Sequence, residues 1–340
     1  MRAAFFREHG DPSVVQVGEL PDPEPGPGEV RLVVGAAAMN HLDLWVRRGL
    51  PIETTMPHIG GSDVAGVVDA LGEGVSGVTV GQRVVADPSL SCGQCEWCRA
   101  GEAPLCVRYR ILGEHTQGGF AEYVVVPAAN LFPIPDNYPM ETAAAAPLVF
   151  LTAWRGLVSR GRLRAGESVL ITGASGGVAT AAVQLARHFG ARVYAVTTGE
   201  HEDRVRSLGA DVVFDRRQVD YSKALWRATD KRGVDLIFDS VGAATWQQNV
   251  RSVARGGRIV VYGATTGPVL ETDGRVLFWK QADILGTTMS NRTEFRQAME
   301  LVFSGTVEPV VDSVLPLADA RAAHERLEAG RQFGKIVLVP

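Results

Sequence analysis

Cysteine is scarce in this 340-residue chain: there are four, and all lie between Cys92 and Cys106. Such a cluster in a reducing compartment points to metal binding rather than to a disulfide framework. Long hydrophobic runs are missing as well. No stretch reaches the 18 or more apolar residues that a bilayer-spanning helix needs. The first ten residues, Met1 to Gly10, are polar and charged. They have no apolar core of the secretory kind, so the expected location is the cytoplasm. No basic stripe exists either; acids and bases are interleaved and the formal net charge is −4. That excludes the electrostatic footprint of a nucleic-acid binder.

What is present fits a soluble protein of about two domains. The chain is 46% hydrophobic and 21% charged, enough to bury a core in each. Up to about Pro147, short apolar runs such as Val30–Val34, Val64–Val68, Arg83–Ala86 and Phe120–Val126 are broken by Gly and Pro. They predict a β-rich region with many turns. From about Phe150 to Ser290, apolar strands alternate with helical patterns, which predicts a parallel, doubly wound α/β sheet. The remaining segment, to Pro340, offers two helices and a strand at Lys335–Val339. It is too little to stand alone and is expected to return to the first domain. The expected division is therefore 1–150 with 291–340, carrying a lobe at about 88–110, and 151–290.

A strand at Ser168–Thr172 runs into Gly173-Ala174-Ser175-Gly176-Gly177-Val178-Ala179, which opens a helix. Gly173 allows the tight turn, Gly176 and Gly177 admit a pyrophosphate close to the backbone, and the small Ala179 lets helix approach strand. The helix N-terminus then supplies N–H groups and a favourable dipole to the phosphates. A glycine triplet alone is weak evidence; its place in a βαβ pattern makes it specific. At the tip of the next strand, where an Asp or Glu ordinarily holds the ribose hydroxyl of NAD, the sequence has Val196-Thr197-Thr198. Arg204, Arg216 and His201 are nearby cations, and arginine suits a 2′-phosphate. NADPH is the expected cofactor, although Glu200 and Glu202 oppose it and the arginines also fit as solvated surface charges.

The spacing Cys92-x2-Cys95-x2-Cys98-x7-Cys106 presents four thiolates. They would fill the tetrahedral shell of one Zn²⁺ and leave no position for substrate, so the site is expected to be structural. Iron–sulfur clusters also use four cysteines, at other usual spacings.

Together these features resemble the medium-chain dehydrogenases/reductases, the superfamily of zinc alcohol dehydrogenases and quinone oxidoreductases. The resemblance runs through Gly60-Gly61-Ser62-Asp63-Val64-Ala65-Gly66, Gly81-Gln82-Arg83-Val84, Gly118-Gly119-Phe120-Ala121-Glu122-Tyr123 and Leu151-Thr152-Ala153-Trp154. It continues through Asp239-Ser240-Val241-Gly242, Gly256-Gly257 and Gly334-Lys335-Ile336-Val337. It implies a GroES-like β domain joined to a Rossmann domain, an active site in the cleft between, and a homodimer or homotetramer. It also implies that Thr152, Gly173, Ser175, Gly176, Gly177, Val178, Thr197, Thr198, Arg204, Arg216, Ser240, Val241, Gly263 and Lys335 bind cofactor.

The departures from the family carry the functional argument. Where zinc alcohol dehydrogenases hold a catalytic metal, this chain has Asn40, Ser62 and Leu148, and Leu42 stands where a hydroxyl relays the alcohol proton. Leucine cannot ligate, and Asn and Ser bind zinc poorly. Asn40 with Asp43 three residues on instead resembles the zinc-free quinone oxidoreductases, which reduce quinones or α,β-unsaturated carbonyls. Those usually lack the four-cysteine lobe, so the chain is a hybrid between branches. Asn40 could donate an amide N–H to developing negative charge, beside His41; Asp43 could equally serve to anchor a helix. Two rival functions stay open: an alcohol dehydrogenase with a metal held by His41, Asp63 or His58, and a dinucleotide-binding protein without turnover.

Overall fold

The computed structural model describes every residue from Met1 to Pro340. The chain separates into two compact units, Met1–Leu148 with Ser290–Pro340, and Val149–Met289. No helix is long and apolar enough to cross a membrane.

The first unit is built on a seven-stranded sheet. Its hub is the strand Glu29–Ala38, where buried Val30, Leu32 and Val34 alternate with less buried Arg31 and Val33. A strand with one face on a core has this period of two. The hub pairs antiparallel with Asp63–Leu71, Tyr123–Pro127 and Lys335–Val339. Its inward face joins Val68, Val84, Val124, Val126, Ile336 and Leu338 in one core. The last strand enters with Val337 opposite Ala38, and Met39 N–H donates to the Ile336 carbonyl at 2.8 Å. Residues at opposite ends of the sequence therefore meet at one edge of this pairing. The strand expected at Phe120–Val126 starts at Tyr123. Just before it, the backbone N–H groups of Gly118, Gly119 and Phe120 bond to the Ile59–Gly61 carbonyls instead. A short hairpin of Arg2–Phe5 with Gln16–Glu19 lacks a clear alternation in the sequence and was not expected.

The second unit holds six parallel strands: β1 (Ser168–Ile171), β2 (Arg192–Thr197), β3 (Val212–Asp215), β4 (Val234–Asp239), β5 (Val253–Val261) and β6 (Asp283–Gly286), ordered β3-β2-β1-β4-β5-β6. This is the Rossmann order, in which ligands bind outside the carboxyl ends where the order reverses, here between β1 and β4. Central strands buried on both faces read as continuous apolar runs. Val169, Leu170, Ile171, Leu236, Ile237 and Phe238 are fully buried. α1 (Gly177–His188) packs Ala179, Ala182, Val183 and Ala186 inward. β5 begins five residues earlier than its apolar run, with a register shift where it passes Val234–Leu236. The helix Gly274–Lys280 has no buried residue and so no periodic signature that could announce it.

Candidate functional site

Four sulfurs first. Cys92, Cys95, Cys98 and Cys106 bring their Sγ atoms within 4.8 Å of one another. The Cys95–Cys98 and Cys92–Cys98 separations are 3.5 and 3.9 Å. A tetrahedron with Zn–S bonds of about 2.3 Å has edges of about 3.8 Å, so the set fits zinc closely. The lobe prepares thiolates as well. Backbone N–H groups of Cys92 and Arg108 point at the Cys106 sulfur, each at 3.4 Å. Hydrogen bonds from the Gln94 and Cys95 backbone hold the Cys92 thiol down at about 6, while burial pushes Cys98 up to about 11. A cation among the sulfurs would favour all four as thiolates.

The glycine-rich loop of the second unit behaves as a phosphate cradle. Gly173 has φ +60°, in the left-handed region, and a Cβ there would touch Val241 at 3.4 Å. Gly176 caps α1, and Ser175, Gly176, Gly177 and Val178 are half-buried around its N-terminus. Opposite them, Asp239 anchors the β4 turn: its Oδ1 accepts from Thr172 and Thr245, and its Oδ2 from the Gly242 N–H. Ser240 and Val241 carbonyls accept from the Thr265 and Thr266 N–H groups, and Gly263 leaves no room for a Cβ against Ser240. The loop after β5 is thus laced to the loop after β4 at the sheet's switch point. At the β2 tip, the Thr197 hydroxyl is buried and unpartnered, as is that of Thr152 elsewhere in this unit. A buried polar group without a partner calls for an explanation, and a ligand supplies one. Arg204 and Arg216 are exposed, and the Arg216 backbone N–H bonds to the Thr197 carbonyl at 2.9 Å. The Thr198 hydroxyl donates to Glu200 Oε1 at 2.9 Å, which brings a carboxylate to this tip that strand position alone does not reveal.

In the first unit, Asn40, Asp63 and Lys335 form a buried charged cluster. The Lys335 ammonium donates to Asn40 Oδ1 at 2.5 Å and to Asp63 Oδ2 at 2.8 Å. Asn40 Nδ2 donates to the same Asp63 oxygen at 2.9 Å and lies 3.5 Å from the Ala38 carbonyl. These partners set the amide orientation, since an ammonium requires the oxygen and a carboxylate the nitrogen. Asp63 Oδ1 accepts from the Leu148 N–H at 2.7 Å. All three side chains are buried, Asp63 completely. The Ser62 hydroxyl, also fully buried, has no partner. The amide hydrogens that the sequence offered to a substrate are therefore directed into the protein. Lys335, expected at the cofactor, keeps one N–H beyond these two bonds.

Asp43 ties the turns around this cluster together. Its Oδ2 accepts from the Asn40 N–H at 2.7 Å and its Oδ1 from the Gly61 N–H at 2.9 Å. Complete burial outweighs those bonds and pushes its carboxyl up to about 6. The alternative anchoring role considered for Asp43 is what these bonds do; it points to backbone rather than outward. His41 begins the helix His41–Arg48, is half-buried and makes no hydrogen bond. Burial, then Lys335 and Arg48, lowers its pKa, so the imidazole is neutral. His58, weighed as a metal ligand, instead turns Nε2 to the Gly113 carbonyl at 2.9 Å. Behind the helix, fully buried Arg47 binds the Gly10 carbonyl, His324 and Glu328. The sequence pattern left two features unseen: the Asp63–Lys335 ion pair, which spans 272 positions, and buried Glu114. The one signal for Glu114 is a carboxylate between Gly113 and Gly118-Gly119.

Residues 26–136 match the alcohol dehydrogenase GroES-like domain, and residues 177–304 match the zinc-binding dehydrogenase family. The chain is 30% identical to acryloyl-coenzyme A reductase of Sulfurisphaera tokodaii, over 95% of each chain. It is 29% identical to human quinone oxidoreductase, covering 100% of this chain and 98% of that one. A solved structure of an NAD-dependent alcohol dehydrogenase is 46% identical and superposes with a TM-score of 0.96, covering 100% of both chains. The chain belongs to the medium-chain dehydrogenase/reductase superfamily. It is an NAD(P)H-dependent oxidoreductase, with a GroES-like unit, a Rossmann unit and a cysteine lobe suited to structural zinc.

Proposed function

We propose that this enzyme is an NADPH-dependent reductase of quinones or α,β-unsaturated carbonyls that works without a catalytic zinc. The observation that carries the reading is the Lys335 ammonium held between Asn40 and Asp63. Zinc at a catalytic site needs about three protein ligands and an open position. Here Leu148 has no donor in its side chain, the Asn40 oxygen is taken by an ammonium, and a cation is already seated on the carboxylate. The residues do not fit the metal.

Bound NADPH would supply a hydride. Without a Lewis acid the substrate must already be electrophilic, and a conjugated carbonyl meets this because charge delivered at the β-carbon spreads to oxygen. That oxygen needs donors placed in advance. The third N–H of Lys335 and the neutral imidazole of His41 are the available groups, with Asn40 and Asp63 as the positioning residues that hold the ammonium. Thr197, Thr198 and Arg216 support a 2′-phosphate at the β2 tip. Glu200 favours a second reading, NADH, because a carboxylate suits a free ribose hydroxyl. The relatives named acryloyl-coenzyme A reductase and quinone oxidoreductase support the substrate class.

The remaining features of the proposal are a cytoplasmic location, a homodimer or homotetramer, and a small-molecule substrate as the reaction partner. A screen of NADPH and NADH oxidation over quinones, enones and aldehydes, run with zinc quantification, tests the whole proposal. The expected result is turnover of enones or quinones with about one zinc per chain. Turnover confined to saturated alcohols, abolished by chelation and accompanied by two zincs, would overturn it.

A further inference from the structure

Reducing a conjugated carbonyl requires a proton as well as a hydride, and in the reading above no group is assigned to give one to carbon. In that reading Lys335 and His41 are given to the developing charge on oxygen, and the Asp43 oxygens are occupied by backbone N–H groups. One buried carboxyl in this unit has no such commitment. Glu114 is 8% exposed and accepts no hydrogen bond from any N–H or O–H.

Its position follows from backbone packing. Gly113 has φ +75°, and a Cβ there would lie 2.7 Å from the Gly61 carbonyl carbon. Gly118 N–H donates to the Ile59 carbonyl at 2.8 Å, Gly119 to Gly61 at 2.8 Å and Phe120 to Gly60 at 3.1 Å. His58 Nε2 meets the Gly113 carbonyl. The segment 113–120 is thus fastened along 58–61, and Glu114 lies near enough to Asp43, whose Oδ1 accepts from the Gly61 N–H, to feel its charge. The neighbouring His115 is no cationic partner. Its Nδ1 accepts from the Ile111 N–H at 3.2 Å and so carries no proton to offer Glu114 Oε2, 3.5 Å away. An ionised Glu114 would meet an acceptor at His115 Nδ1 and the charge of a second carboxylate, Asp43.

We propose that Glu114 is the general acid that protonates the α-carbon of the enolate. This rests on the enone reading above. The hydride from the reduced cofactor forms a C–H bond at the β-carbon, and the alkene π pair moves to give the enolate, leaving oxidised cofactor. The enolate then takes the Glu114 proton: the O–H bond breaks, the α C–H bond forms, and the carboxylate recovers its proton from water. Substrate gains two electrons and two hydrogens. Burial, then the Asp43 charge, raises the Glu114 carboxyl to about 7, so the acid form is present at neutral pH. The groups acting on it are Asp43 from the His41–Arg48 helix and His115 from its own loop, and Asp43 in turn feels Lys335 and Asp63.

The test uses the holoenzyme with a simple enone in D2O, comparing wild type, Glu114→Gln and Glu114→Asp. General acid catalysis contributes typically 10²–10⁴-fold, so Glu114→Gln is expected to lower kcat at least about 100-fold at pH 6. Wild-type kcat falls as pH rises through about 7, and the variant loses that limb. Deuterium at the α-carbon enters on one face with wild type and on both with Glu114→Gln. Glu114→Asp, which keeps the acid, retains the pH limb and the facial preference at lower kcat. If Glu114→Gln keeps kcat within about threefold with one-face deuteration, Glu114 is not the acid. If wild type reduces no enone at all, the reductase reading itself fails and takes this assignment with it.

Discussion

Two places in the first unit, the cysteine lobe and the Asn40–Asp63–Lys335 cluster, gather charge in opposite ways. The lobe Cys92–Cys106 keeps four soft donors, all close in sequence, with sulfur separations near those of a zinc tetrahedron. The Asn40–Asp63–Lys335 cluster joins an amide, a carboxylate and an ammonium gathered from three distant segments. Both are ways of organising backbone around charge. In the first, a dication would neutralise thiolates that otherwise repel. In the second, one amino-acid cation neutralises one carboxylate. The two sites share no ligand, so one can suit a metal while the other is organised by side-chain charges.

The comparison is broken most severely at the cysteines. Structural zinc in small peptides is worth roughly 10–16 kcal/mol, so Cys95→Ser is expected to lose the metal and unfold the lobe. Elemental analysis should fall from about one zinc per chain to none, with protease sensitivity appearing around residues 92–106. A variant that keeps its zinc and its protease resistance would show that another atom set holds the metal.

Removing the organic cation comes next. Lys335→Met leaves Asp63 charged and fully buried, a loss of about 3–5 kcal/mol in buried pairs. The double variant Lys335→Met with Asp63→Asn should recover most of that stability in denaturant melts without recovering enone reduction. Recovery of activity together with stability would show that the ammonium only holds the fold. Asn40→Leu removes the second acceptor on Lys335 at similar volume. It is expected to cost less than a direct oxyanion donor, whose removal costs about 10²–10³ in rate.

Stability against pH sharpens the contrast between carboxyls. Asp63 has an ammonium partner, whereas burial raises Asp43 to about 6 and Glu114 to about 7. A carboxyl with a raised folded pKa supports the fold below its unfolded value, and that support is lost as pH rises through the folded value. Wild type should therefore lose stability between about pH 4 and 8 on account of these two groups. Glu114→Gln should remove a share of roughly 1–3 kcal/mol at the alkaline end and almost none at pH 4. Parallel curves for the two proteins in chemical melts would contradict this.

The smallest effect expected is at the cofactor tip. Glu200→Gln removes the carboxylate hydrogen-bonded to Thr198. The ratio of NADPH to NADH affinity should rise on the order of tenfold, within the 1.4 kcal/mol that such a factor represents. Fluorescence titration of both cofactors measures it, and an unchanged ratio would place Glu200 away from the ribose.

Local features of this protein were legible because their causes are local. Periodicity announced β1 through β4 and α1, since a parallel strand buried on both faces must be a run of apolar residues and a packed helix must repeat its apolar face. The helix Gly274–Lys280 buries nothing and left no such trace. Gly173 was recognisable as a turn because only a residue without a Cβ adopts its φ freely. The four cysteines declared themselves because zinc takes a small set of donors at short spacing.

By itself, then, the sequence determined the α/β class, the superfamily and the thiol cluster, and it placed Asn40, Ser62 and Leu148 where the resemblance implies metal donors. Tertiary structure decided what those replacements do. Asn40 became a partner of Lys335 only because the strand Lys335–Val339 pairs with the end of Glu29–Ala38, 295 residues away. Glu114 became a buried, unpartnered acid only because glycines let segment 113–120 lie directly on Gly60 and Gly61. Charge pairing and desolvation depend on distances through space and on exclusion of water, and neither is written in the order of residues along a chain.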